Sequence, residues 1–389
     1  MTDFMYDDMP TTFDMVTDRI TEYKRQSAAT KEGVLTTVTG TGVGGYNGDT
    51  DDGTPVFGAH LNSPDGLAAD DAGNLYVVDT DNHRVRRVAA DGTITTIAGT
   101  GTAGFSGDGG QAVEAQLSSP EGLILDRAGN LYIADDHNQR VRRVSADGVI
   151  TTVAGTGEAG YGGDGAAATS AQLNNPFGLA MDRAGNLYIT EHHGHRVRRM
   201  APDGTITTFA GTGVAGYDAD NKQASAAQLS NPCGLALDNA GSLYIADFYN
   251  NRVRRVAVNG TITTVAGTGV AGSIGDGGPA TTAQLDHPCG LALDTAGNLY
   301  ITEHRGHRVR RVAPDGTITT VAGTGAGGYD GDDKPAIAAQ LRNPEALAID
   351  RYGNLYIADN GNHRVRKVAG PKEAALTVVQ TGMPEAKPG

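Results

Sequence analysis

The stretch from Asn175 to Gly211 decides the fold. It opens Asn-Pro-Phe-Gly-Leu-Ala-Met-Asp (175–182), turns at Arg-Ala-Gly-Asn (183–186) and continues as the apolar, β-branched Leu-Tyr-Ile-Thr-Glu (187–191). A second turn, His-His-Gly-His (192–195), leads into Arg-Val-Arg-Arg-Met (196–200). Ala-Pro-Asp-Gly (201–204) turns again, and Thr-Ile-Thr-Thr-Phe-Ala-Gly (205–211) closes the unit. Gly, Asn and Asp tolerate turn dihedrals, so these short runs read as four antiparallel strands, termed a to d.

The unit recurs. Arg84, Arg140, Arg196, Arg252, Arg308 and Arg364 head equivalent c strands, and every gap is 56 residues. Repeats this regular mean units that bury their faces against one another. Four strands per repeat, six times, with no helical period between them, predicts an all-β, six-bladed β-propeller of four-stranded blades. A solenoid would need capping repeats, and none is visible. Gly33–Gly40 reads as a d strand ahead of the first a strand, and is expected to close the ring as the outer strand of blade 6. Ala375–Gln380 is a second candidate for that edge. Each d strand is followed by a long insertion with a Gly-Asp-Gly-type turn and a helix-like Ala-x-x-Ala-Gln-Leu. In a propeller the d–a and b–c connections share one rim, so the long loops and the b-strand exits share a face, where function is expected. The expected organisation is an acidic N-terminal arm at 1–32, the propeller at 33–382 and a tail at 383–389. Phe13, Val16 and Ile20 would line one face of a short helix around 12–26.

Composition narrows the rest. The 389 residues carry 31 basic and 45 acidic side chains, a net −14. Acidity of that size argues against binding nucleic acid by bulk charge. Hydrophobic residues make up 39 %, enough for a core and too many for a disordered chain. No apolar run approaches the ~18 residues of a membrane helix, and the acidic N-terminus lacks a signal-peptide pattern, so a cytoplasmic protein without a membrane partner is expected. The two cysteines, Cys233 and Cys289, fit a reducing compartment and do not make a disulfide framework. The Gly-x-Gly pairs lie in d–a turns and not after a parallel strand, so no nucleotide cofactor is expected. The acidic insertions at Asp49–Gly53, Asp218–Asp220 and Asp330–Asp333 lack the final bidentate glutamate of a calcium loop and read as turns.

The Asn-Leu-Tyr-(Val/Ile) strand, the Asp-x-x-Asn-His-Arg-Val signature at 79–85 and 359–365, and the Pro-x-Gly-Leu-Ala opening resemble the NHL repeat family over about 33–370. That resemblance implies a six-bladed propeller. It is nearly silent on function, because the family includes protein-binding platforms, RNA-binding domains, extracellular modules and a few lyases.

Within a symmetric scaffold, positions that differ in kind between repeats are candidates for a site. The strand-b exit is acidic in every copy: Asp79, Asp135, Glu191, Asp247, Glu303 and Asp359. The Arg-Val-Arg-Arg runs read as exposed strands whose arginines pair with these acids. His83, His195, His307 and His363 share one signature position and read as structural. Blades 3 and 5 depart together, as Thr-Glu-His-His-Gly-His (190–195) and Thr-Glu-His-Arg-Gly-His (302–307), and both gain a histidine after the acid. Shared recent duplication would explain this equally. The functional reading makes His192, His304, Glu191 and Glu303 acid–base candidates, with His192, His304 and Glu303 as ligands of a divalent metal (Zn, Mg, Mn or Ca).

The residue after each strand-a proline forms a second ring: Asp65, Glu121, Phe177, Cys233, Cys289 and Glu345. Strand a is innermost, so this ring is expected at the channel mouth, with carboxylates on one side and an aromatic and two thiols on the other. Phe177, Phe248 and Tyr249 would form an apolar wall, Arg305 an anion clamp, and His193 a further contact; His287 would join Cys289, Glu303, His304 and Arg305 in one cluster. Two functions follow. The first is an enzyme acting on a small metabolite at the channel mouth, metal-assisted; among similar propellers it looks most like the streptogramin-type and peptidylglycine lyases, and more distantly the lactonases, which implies elimination or ester opening. The second is a non-catalytic platform whose long-loop face binds a protein or peptide.

Overall fold

The computed structural model describes residues 33–49 and 56–371. The expected N-terminal arm, the alternative closing strand at 375–380 and the tail lie outside the described residues. Among the described residues there are six antiparallel sheets and no α-helix. In blade 1 the strands are Pro64–Ala69, Leu75–Asp79, Arg84–Val88 and Ile94–Ala98, in that order from the axis outward. Blade 6 takes its outermost strand from the other end of the chain. Val34–Thr39 pairs with Arg364–Val368, with Leu35 opposite Val368 and Thr37 opposite Arg366, and this closes the ring as expected. The insertions hold the outer edges: Lys222–Gln223 and Lys334–Pro335 add two-residue strands to blades 4 and 6. An edge that is already paired does not recruit another chain.

Register puts the long-loop face where the repeats predict it. Pro176 lies opposite Glu191, and Glu191 opposite Arg196, so strand a begins, strand b ends and strand c begins on one rim. Between blades the apolar residues of facing sheets interdigitate; Val78, Val85 and Ala98 of blade 1 pack with Leu117, Leu123, Ile133 and Ile150 of blade 2. At the axis the blades touch through a glycine collar. A Cβ on Gly66, Gly122, Gly178, Gly234 or Gly290 would sit 2.1–2.4 Å from the carbonyl oxygen of the next blade's ring residue. Only glycine permits that approach.

Two polar devices repeat around the ring. The first joins blades. Side chains at the signature position accept the backbone N–H ahead of the next strand-a proline at 2.7–3.1 Å. His83, His195, His307 and His363 use Nδ1, while Gln139 and Asn251 use their amide oxygens. These histidines are structural, as read from the sequence.

The second device corrects the expectation of an exposed basic strand. Arg86, Arg142, Arg198, Arg254, Arg310 and Arg366 are fully buried. Each meets its own strand-b acid at 3.2–3.4 Å. Each also meets an aspartate of the insertion at 2.6–2.9 Å: Asp49, Asp108, Asp164, Asp220, Asp276 or Asp332. In the acidic insertions Asp49, Asp220 and Asp332 thus face arginine, while Asp218 and Asp330 pair with Lys222 and Lys334. The neighbouring Arg84, Arg140, Arg196, Arg252 and Arg364 stack on Tyr46, Phe105, Tyr161, Tyr217 and Tyr329 at 3.7–3.9 Å. Blade 5 has Ser273 in place of the aromatic, and its hydroxyl donates to Glu303.

Two outcomes follow. Arg254→Met strands the buried Asp247 carboxylate and is expected to cost about 3–5 kcal/mol, whereas Arg254→Met with Asp247→Leu recovers much of that loss; chemical denaturation of the two variants checks the difference. Burial holds His83, His195, His307 and His363 below their ordinary value, and His192 down to about 4. The unfolded chain therefore takes up these protons first, near pH ~6.5, and their stabilisation is lost as pH falls through the lower folded values. Replacing the four signature histidines by Asn, which blade 4 already carries, should flatten the fall in Tm between pH 6.5 and 4; an unchanged slope refutes this.

Candidate functional site

The inner strands place the mixed ring where the sequence reading puts it. Asp65, Phe177, Cys289 and Glu345 line an axial cavity of about 190 Å³, with the glycine collar and Leu67, Leu123, Leu179, Leu235, Leu291 and Leu347 below them. The polar groups thus sit at the long-loop mouth, over a hydrocarbon floor.

The carboxyl half of the ring is organised as two contacts. Asp65 and Glu121 hydrogen-bond to one another. Burial raises Asp65 well above the usual carboxylate range, with Glu345 adding to the effect; burial and the neighbouring Asp65 do the same to Glu121. Two buried carboxyls this close share a proton, because like charges cannot both ionise there. Across the mouth, His304 Nδ1 lies 2.5 Å from Glu345 Oε1, and its Nε2 lies 3.0 Å from the Asn343 amide. Burial opposes the imidazolium, but Glu345 outweighs it and His304 is raised above its ordinary value. The Nδ1 contact sets His304 directly behind the Glu345 carboxylate.

Glu191 and Glu303 are not in the mouth, which corrects their reading as catalytic residues. Both are fully buried inside their blades against Arg198 and Arg310. Burial pushes each up to about 7, the arginine pulling the other way. The paired exchange of Asp for Glu and Asn for Gly has a packing cause. In blade 4 the Asn250 amide donates to Asp247. The longer glutamate reaches into that volume: a Cβ on Gly194 would lie 3.2 Å from Glu191 Oε2, and one on Gly306 2.5 Å from Glu303 Oε2. Glycine follows glutamate sterically, so this covariation carries no chemistry. A third exchange in the same blades does reach the ring. Thr190 donates to the Cys233 carbonyl at 2.8 Å, and Thr302 to the Glu345 carbonyl at 2.6 Å. Residues at these threonine positions were passed over in the sequence, although blades 3 and 5 alone carry a hydroxyl there.

The expected metal set does not assemble. Glu303 belongs to the Arg310 pair, and Phe248 stands between the imidazoles, its ring centroid 5.9 Å from His192 and 6.0 Å from His304. Among the described residues, the group whose ligand atoms all lie within 4.8 Å of one another is Cys233, Cys289 and Glu345. The cysteines also depart from expectation, because their sulfurs are joined in a disulfide with Cα atoms 5.2 Å apart. Equivalent positions on adjacent inner strands bring them together. The argument from free thiols to a reducing compartment therefore falls. No helix among the described residues is long and apolar enough to cross a membrane.

The apolar wall forms around His192, a neutral imidazole between Phe177 at 5.4 Å and Phe248. Phe248 also packs on His287 at 4.8 Å, and His287 pairs with Asp286 and not with Cys289. Tyr249 is 52 % exposed. Arg305 and His193 are exposed on the rim, where His193 Nδ1 contacts Asn175 at 2.7 Å.

A family model for the Teneurin NHL domain matches residues 102–161, and the NHL repeat model matches 61–88, 229–256 and 341–368. Teneurin-4 of Mus musculus is 30 % identical over 347 residues, covering 79 % of this chain and 12 % of that protein, so the chain spans a small part of the curated relative. A Bacteroides thetaiotaomicron structural genomics protein of unknown function has TM-score 0.64 and 18 % identity, covering 86 % of this chain and 75 % of that one. A Xanthomonas campestris gluconolactonase has TM-score 0.54 and 18 % identity, covering 80 % and 87 %. The chain thus carries NHL repeats, matched in blades 1, 4 and 6, within a six-bladed β-propeller.

Proposed function

We propose that the channel mouth binds a small polar molecule and moves a proton on it, as a lyase or hydrolase does. The observation that carries this reading is the Asp65–Glu121 pair. The strand-b acids are buried against arginine; the buried Asp65 and the half-buried Glu121 meet each other instead, and Asp65 lines the cavity. A shared proton gives one carboxyl as donor and one as acceptor, the arrangement of general acid–base chemistry. Glu345, held by His304, supplies a third oxygen ligand for the substrate. Phe177 and Phe248 offer an apolar face, and Arg305 at the rim is placed to attract an anionic group. The cavity is smaller than the ~300–1,000 Å³ of drug-sized sites, so the molecule is small or enters only in part. The ligand set His192, His304 and Glu303 does not assemble, so this reading stands on proton transfer and not on that metal. The likeness to the gluconolactonase bears on fold and does not choose between elimination and ring opening.

A second reading is a protein- or peptide-binding platform. Its support is the half-exposed Tyr249 beside Arg305 on the long-loop face.

The readings separate by experiment. Against a panel of small lactones, esters and β-substituted carbonyl compounds, the protein is expected to turn over at least one. Glu121→Gln or Asp65→Asn should then lower kcat by about 10²–10⁴ with the fold intact by circular dichroism. Turnover of no panel member, or full activity in both variants, defeats the catalytic reading. Loss of partner capture in Tyr249→Ala would then favour the platform.

A further inference from the structure

We propose that Cys233, Cys289 and Glu345 form a site for a divalent cation of the zinc class, open when the sulfurs are thiolates and closed when they are joined. The proposal does not depend on the acid–base reading. It starts from three consecutive members of the inner ring, in blades 4, 5 and 6, whose two sulfurs and carboxylate oxygen lie within 4.8 Å of one another. The adjacent inner strands of two blades, and not a loop, set this spacing, with the cysteine Cα atoms 5.2 Å apart. Hydroxyls anchor both ends: Thr190 holds the Cys233 carbonyl and Thr302 the Glu345 carbonyl. His304 contacts the Glu345 carboxylate from outside, the usual place of an outer partner that orients a ligating oxygen.

The donor types choose the ion. Two sulfurs and one carboxylate suit a borderline-soft cation; magnesium, calcium and manganese take oxygen-rich sets. Zinc binds thiolate at about 2.3 Å and carboxylate at about 2.0–2.2 Å in a tetrahedron, which sets its two sulfurs about 3.8 Å apart. The joined sulfurs must therefore part before the ion enters. Cys289 and Glu345 line the axial cavity, so a fourth position faces it. Three protein ligands with one place open is the pattern of a zinc site that takes a water or substrate.

The gating step balances. One dithiol reductant delivers two electrons: its thiolate attacks one sulfur, the Cys233–Cys289 bond breaks, and the reductant leaves as its own disulfide, with two cysteine thiols formed. Zinc then displaces two thiol protons. In the reverse exchange an oxidised dithiol takes up the two electrons, the Cys233–Cys289 bond re-forms, the ion is released and the site closes.

The test uses the full chain, reduced with a dithiol and desalted without oxygen, against the untreated protein. With Zn(II) as probe, elemental analysis should give one ion per reduced chain and less than a tenth of that in the oxidised chain. With Co(II), the reduced chain should show a sulfur-to-metal charge-transfer band. Cys289→Ser should remove the band, Glu345→Gln should weaken Zn(II) binding at least tenfold, and His304→Gln by ~10–100-fold, as for an outer partner. Glu121→Gln should keep the band, which separates this result from failure of the acid–base reading. The proposal is overturned if the folded chain yields no titratable thiols under the dithiol. It is equally overturned if the reduced chain binds no Zn(II), or binds Co(II) without the band.

Discussion

Each blade depends on one buried guanidinium held between two carboxylates. Arg254, fully buried, meets Asp247 from its own sheet and Asp220 from the preceding insertion. Such a cluster stabilises little relative to apolar packing, yet breaking half of it is costly, because a charge is left in low dielectric. Its consequence is geometric. The insertion cannot leave the blade without abandoning the arginine, so a long, glycine-rich loop becomes a fixed part of the long-loop face. Stacking of Arg252 on Tyr217 ties down the same loop a second time.

That fixed face allows the inner ring to differ from blade to blade without loss of the fold. The interdigitated apolar side chains, the glycine collar and the bond from each signature side chain to the next blade hold the blades together. The ring residues add contacts that differ from junction to junction, the Asp65–Glu121 bond on one side and the Cys233–Cys289 disulfide on the other, and so diverge into a carboxyl half and a half of aromatic and sulfur. The exchanges in blades 3 and 5 serve both layers. Glutamate with glycine keeps the arginine cluster filled. Threonine reaches inward and secures the carbonyls of Cys233 and Glu345.

The carboxyl half and the sulfur half pose different chemistry in one cavity. Burial and mutual repulsion push Asp65 and Glu121 towards sharing a proton, against the weaker pull of His304 on Asp65. Glu345 stands between the halves, steadied by His304, and is the residue on which both proposed chemistries meet.

The sequence by itself determined the number of blades, the four strands in each, the closing strand at 34–39, the shared rim of loops and the makeup of the inner ring. All of these follow from a 56-residue period and from turn residues whose dihedrals are local properties. It could not tell a solvated arginine from a buried one, since Arg86 and Arg87 are the same residue type one position apart and only the second sheet face decides between them. Nor could it separate Glu303 from His304, adjacent in the chain, because the strand ends at Glu303 inside the blade and the turn that follows carries His304 to Glu345. The pairing of Cys233 with Cys289 and the Asp65–Glu121 contact needed the ring to close, because the distance between equivalent positions on neighbouring blades is a property of the toroid and not of any one repeat.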